Sequence, residues 1–109
     1  MRFPEKLPER LYSHFIRGLW DGDGCFRRKA NHKGGERKYL YAELTASYFL
    51  IEKVRNILGH EINSFQKIYK HGSVYRISYG ESKAKLVRDY LYRNATLFLK
   101  RKYDIAYDL

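Results

Sequence analysis

One cysteine in 109 residues excludes an internal disulfide framework, and a lone thiol fits a reducing, intracellular compartment rather than a secreted one. No apolar run approaches a membrane span and no signal peptide is visible, so a membrane is not among the expected partners. There is no internal repeat and no low-complexity segment. A Walker A lysine loop is absent, and His14, His32, His60 and His71 show no paired metal-ligand spacing. No Ser/His/Asp order suggests a triad. Acidic residues are also scarce: 12 against 22 basic ones give a net charge of +10 and a pI near 9.8. The imbalance is local. Residues 1–24 hold four basic and four acidic side chains, whereas 25–46 and 64–80 together hold nine basic and two acidic ones. Tyrosines interleave with that charge, the pattern of a phosphate-binding surface as well as of a solvated face.

What is present and specific lies in residues 16 to 24, Ile-Arg-Gly-Leu-Trp-Asp-Gly-Asp-Gly. An apolar, helix-compatible run from Leu11 to Trp20 ends in two carboxylates and two glycines. Gly18 and Gly22, four apart, share one helix face and let another backbone approach closely. Such packing can join two chains or two helices of one chain. Gly24 suits a left-handed helix exit. Carboxylates are disfavoured at a helix C-terminus, so Asp21 and Asp23 there suggest a task other than stability. A core helix with a polar turn is the plainer alternative. An EF-hand is excluded, because the required later Glu position holds Ala30.

The chain has the length of a single domain, 1–109. A motif helix is expected over about 8–24, with Pro8 and Glu9 suiting its first turn. Strands follow at 25–32 and 38–47 around a Gly34-Gly35 turn. An amphipathic helix over 48–58 is expected to stop at Gly59. A hairpin over 64–70 and 74–79 turns at His71-Gly72-Ser73, a third helix runs from Ser82 as N-cap to Tyr92, and the tail, about 94–109, is helical or forms two short turns. The order αββαββα predicts an α+β domain with a four-stranded antiparallel sheet covered by helices on one face. Alternation sends Phe26, Leu40, Ala42, Leu44, Tyr75, Ile77 and Tyr79 inward. Arg27, Lys29, Asn31, Tyr39, Tyr41, Glu43, Thr45, Arg76 and Ser78 then point outward, joined by Lys67, Tyr69 and His71 and by Lys33 in the turn. These side chains supply base-edge donors and acceptors as well as charge. Arg28 does not fit, since alternation directs it toward the core unless it reaches an edge.

The segment 16–24 resembles the motif of the LAGLIDADG homing endonucleases at Ile16, Gly18, Leu19, Asp21, Gly22, Asp23 and Gly24, with Arg17 and Trp20 as departures. The resemblance implies a saddle-shaped sheet in the DNA major groove, and motif helices that pair two domains. With one motif in the chain, it implies a homodimer held at Gly18, Leu19 and Gly22, with Trp20 beside them, on a palindromic or near-palindromic site. The implied activity is Mg²⁺-dependent cleavage of double-stranded DNA leaving 3′ overhangs, with Mn²⁺ able to substitute. Asp23 and the Gly22 carbonyl would hold the metal, and Asp21 would be structural. Phe98-Leu99-Lys100 resembles the family's stretch that brings a lysine to the scissile phosphate. It places Lys102 there, although three adjacent basic residues can equally form a surface patch. Ser47, or Thr45, would complete the pocket. The family leaves the gene's setting open between an intron, an intein and a free-standing gene, and it offers an alternative on the same fold: a non-cleaving binder, either an RNA maturase or a transcription regulator. A basic interaction module without nucleic-acid specificity is a third reading.

Overall fold

A computed structural model describes residues 3–30, 38–93, 95 and 98–107, with the backbone alone at Lys29, Ala30 and Lys38. A 3₁₀ turn at Glu9–Leu11 leads into helix α1, Tyr12–Asp23. Strands β1, Gly24–Ala30, and β2, Lys38–Ala46, follow, then helix α2, Tyr48–Ile62. Strands β3, Tyr69–His71, and β4, Val74–Gly80, precede helices α3, Glu81–Tyr92, and α4, Lys100–Tyr107. The sheet is antiparallel throughout, in the order β1-β2-β4-β3. The expected αββαββα order stands, with the tail resolved into one further helix, α4. Among the described residues no helix is long and apolar enough to cross a membrane.

The core forms where the alternating strand positions meet the helices. Phe26, Leu40, Ala42, Leu44, Ile77 and Tyr79 are buried from the sheet side, and Ile16, Trp20, Ile51, Val54, Leu58, Val87 and Leu91 from the helix side. Trp20 lies at its centre, stacked on Phe26 at 6.0 Å, with its indole N–H donating to the Cys25 carbonyl at 3.2 Å.

Several boundaries differ from expectation for local reasons. Gly24 is not left-handed: its φ of −97° and ψ of 175° are extended, and the chain passes directly from α1 into β1. Its glycine is needed for space, because a Cβ there would fall 2.7 Å from the Trp20 ring. Gly59 does not end α2 but sits inside it, where a Cβ would strike the ring of Phe65; the left-handed stop is Asn63, φ 56°. Strand β3 is shorter than expected and begins at Tyr69. Ser82 is not the N-cap of α3. That helix starts at Glu81, capped by Gly80, and the Glu81 carboxylate accepts the Leu40 N–H at 3.1 Å. Leu40 lies one residue beyond the last β2–β4 pair, Tyr41 with Gly80, so its donor has no strand partner on that side. The Gly34-Gly35 turn lies outside the described residues.

Candidate functional site

Strand register decides which side chains share the sheet's free face. Residues directly opposite one another point the same way. The rows that emerge are Arg27 with Tyr41, Cys25 with Glu43 and Ser78, Thr45 with Arg76 and Tyr69, and Val74 with His71. Arg27 is exposed and covers the Tyr41 ring at 5.3 Å; it also pairs with Glu43 at 3.4 Å. The Ser78 hydroxyl donates to the same Glu43 oxygen at 3.5 Å. Lys67 lies outside the strands, 5.2 Å over the ring of Tyr69. Arg76 carries a buried Nε that finds no hydrogen-bond partner, which leaves donor capacity in the middle of the face. Of the expected contacts, Asn31 and Lys33 lie outside the described residues, and Lys29 is placed by register alone.

At the end of α1 the two motif carboxylates have different settings. Asp23 is the last helical residue and is exposed. Asp21 is half-buried, and its Oδ2 accepts the Leu99 N–H at 3.2 Å, at the start of α4. Lys102 of α4 donates in the other direction, to the carbonyls of Trp20 at 2.9 Å, Asp21 at 2.8 Å and Gly24 at 2.6 Å. Each helix thus receives from the other the charge its dipole favours: a carboxylate at the N-terminus of α4, an ammonium at the C-terminus of α1. Lys102 lies at the end of the motif helix, and its three donors all point at backbone carbonyls.

Gly18 and Gly22 are exposed, and a Cβ on either would meet nothing within 4 Å. Among the described residues no element packs on their face. Leu19 departs from expectation. It is 7% exposed and lies in the chain's own core, as does Trp20 at 0%, so neither offers a partner surface. Arg17 is buried at 6% exposure, with one guanidinium nitrogen donating to the Leu91 carbonyl at 2.8 Å and another 2.8 Å from His14 Nδ1. The family's small residue is replaced here by a cation that caps α3.

Ser47 is also placed elsewhere than expected. It opens α2 and lines a cavity of about 740 Å³ with Phe3, Tyr12 and Lys53. Tyr12 begins the motif helix, and Asp23 lies about 16 Å further along its axis at 1.5 Å per residue. The structure groups Ser47 with the start of that helix. Thr45, the alternative, stays on the free face, one residue beyond the Gly24–Leu44 pair.

Sequence reasoning flagged Arg28 as a misfit without finding its task. Arg28 donates to the Ile105 carbonyl at 3.1 Å and the Ala106 carbonyl at 2.8 Å, and Arg88 adds a bond to Ala106 at 3.3 Å. These guanidinium groups cap the end of α4, whose start is tied to the motif.

A sheet with one free, polar, basic face and a helix that ends in an exposed carboxylate at its edge has the fold of homing endonucleases. I-CvuI, a homing endonuclease crystallised with its target in the presence of Ca, is 15% identical, with a TM-score of 0.69 over 91% of this chain and 63% of that one. I-TnaI is 15% identical, with a TM-score of 0.60 over 96% and 68%. The meganuclease I-AabMI, bound to uncleaved DNA, is 18% identical, with a TM-score of 0.59 over 78% and 30%. No curated protein matches the chain at a significant level. The sequence profile of a LAGLIDADG-like domain matches residues 10–92, and the chain belongs to that family.

Proposed function

We propose that the protein is a site-specific, metal-dependent double-stranded DNA endonuclease that works as a symmetric pair of copies. One observation carries this reading: α1 ends in exposed Asp23 beside an unoccupied glycine face, at the edge of a sheet whose free face aligns Arg27, Tyr41, Glu43, Ser78, Arg76 and Tyr69. Relatives in fold that were crystallised with target DNA support it.

The residues present fit a hard divalent cation. Asp23 offers an exposed carboxylate, and Lys102 takes the Trp20, Asp21 and Gly24 carbonyls without taking that of Gly22. A second copy packed on the glycine face would bring its own Asp23 carboxylate beside the first. Mg²⁺ suits such oxygen donors, and when bound it stabilises charge on the attacked phosphate and on the leaving oxygen. The chain's own contribution is position. Asp21 and Lys102 tie the end of α1 to α4, so the Asp23 carboxylate is presented at a fixed height above the sheet. Arg27 and Arg76 hold DNA against the face.

A non-cleaving binder is the second reading, favoured by the Lys102 ammonium having all three donors directed at backbone carbonyls rather than at solvent. Purified protein incubated with a randomised duplex library and Mg²⁺ separates the two. Staggered cuts centred on a near-palindrome are expected, and Asp23→Asn should abolish them while binding stays within a few-fold. Enrichment of a bound sequence without cuts would establish the binder instead.

A further inference from the structure

We infer that the protein has a second nucleic-acid site, for an unpaired strand, in the groove between α2 and the β3–β4 edge. It lies on the side of the sheet away from the duplex-facing rows. Lys70 pairs directly with Tyr75, so these two point to the opposite face from the Tyr69–Arg76 and His71–Val74 pairs. Strand β3 is the sheet edge, and α2 leaves an open groove of about 470 Å³ beneath it. That volume falls in the range of small-ligand sites, about 300–1,000 Å³.

Its lining is chemically selective. Arg55 and Lys70 line it with three aromatic side chains, Tyr48, Phe65 and Tyr75, while Lys67 stands at its rim with its ammonium over the Tyr69 ring of the other face. No acidic side chain lines the groove, and Glu52 is tied to it only through the Tyr48 hydroxyl, at 3.0 Å. Arg55 has a buried Nε with no hydrogen-bond partner. A guanidinium lining the groove offers the planar donor set that phosphate oxygens match best. Tyr48 and Phe65 are 40% and 50% exposed, while Tyr48 and Tyr75 meet edge to face at 5.1 Å. Partly bare rings beside clustered cations are what stacking of successive bases over a tracked backbone requires. A base can enter a concavity of this size only when it is unpaired. The duplex-facing rows point the other way, so the two ligands need not compete.

The site is tested with fluorescein-labelled oligouridine and oligothymidine of about ten nucleotides, read by anisotropy at fixed salt. Arg55→Ala with Lys70→Ala should weaken oligonucleotide binding by about ten-fold or more, and Tyr48→Ala by a similar factor, about 1–3 kcal/mol per stacked base. Both should leave duplex binding within about two-fold on the same polyanion scale. Arg76→Ala on the other face should do the reverse. Lys70→Glu, at an exposed edge position, serves if the Arg55 variant does not fold. Equal loss of both ligands in either set of variants would overturn the second site, as would equal competition by poly-glutamate. RNA bound better than DNA, or the converse, identifies the strand that uses it. Duplex cleavage is not part of the readout, so failure here leaves the endonuclease reading untouched, and failure of that reading leaves this one untouched.

Discussion

Gly24 is constrained by space and not by torsion, since its extended backbone suits any residue. A Cβ would fall 2.7 Å from two Trp20 ring carbons and 2.9 Å from the Trp20 Cα. The indole cannot swing away, being fully buried and held by its bond to the Cys25 carbonyl. Gly24→Ala should therefore destabilise the protein by about 1–3 kcal/mol, the range for overpacking a core. Urea denaturation checks it: a lower midpoint with an unchanged slope is expected, and an unchanged midpoint would mean that the indole shifts freely. Gly18 and Gly22 have the opposite environment, with nothing among the described residues within 4 Å of where a Cβ would stand. The motif marks all three glycines as special in the sequence. Their reasons differ because a glycine's role depends on what packs opposite, and that is set by residues far away in the chain. The same holds for the carboxylates: their place at a helix end was legible, whereas the division of labour between Asp21, bonded to Leu99, and exposed Asp23 required α4 to be in place.

Helix α4, at eight residues, is too short to persist alone in water. Its order rests on attachments at both ends: Asp21 and Lys102 to the motif helix, Arg28 and Arg88 to its last carbonyls, and Tyr103 and Tyr107 against Tyr92. Removing the Arg28 head group by Arg28→Met keeps much of the stem but takes two charged donors from the C-terminal carbonyls. Hydrogen bonds to charged groups contribute about 1.5–3 kcal/mol. Amide exchange should accelerate across residues 100–107 while β2 and β4 remain protected. Equal acceleration throughout would show that α4 opens only with the whole domain. Element order and the inward set were readable from alternation and period, whereas the register between strands was not. Helix ends were not. Gly59 reads as a stop until Phe65 is seen against it, and Ser82 reads as a cap until Glu81 is seen reaching across to Leu40. Arg28 announced itself by breaking alternation, but partners 77 and 78 positions away cannot be found by local pattern.

At the scale of the molecule, buried tyrosines make the fold sensitive to alkali. Burial pushes Tyr90 and Tyr107 up to about 12 and moves Tyr79 and Tyr92 further in the same direction. An unfolded tyrosine titrates near 10. Above that pH the unfolded chain gives up protons that the folded one keeps, so stability falls as pH rises. It should be whole below about pH 10 and decline through about 12, seen as falling melting temperatures together with delayed tyrosinate absorbance. All eleven tyrosines ionising together near pH 10 in the intact fold would contradict the burial. The second molecular question is pairing. Two copies each carrying +10 repel when free, so the proposed pair needs close contact and a shared polyanion to overcome that repulsion. Gly18→Leu isolates the contact. In a single chain the new side chain meets open space and replaces a glycine inside a helix, which favours the fold by up to about 1 kcal/mol. Across a helix pair the same side chain is a wedge. The variant should therefore be as stable as the parent or more so, while sedimentation on a palindromic duplex shows one bound copy instead of two. Retained pairing with the leucine present would place the interface elsewhere and remove the glycine face from the mechanism, because a leucine cannot fit where two backbones must touch.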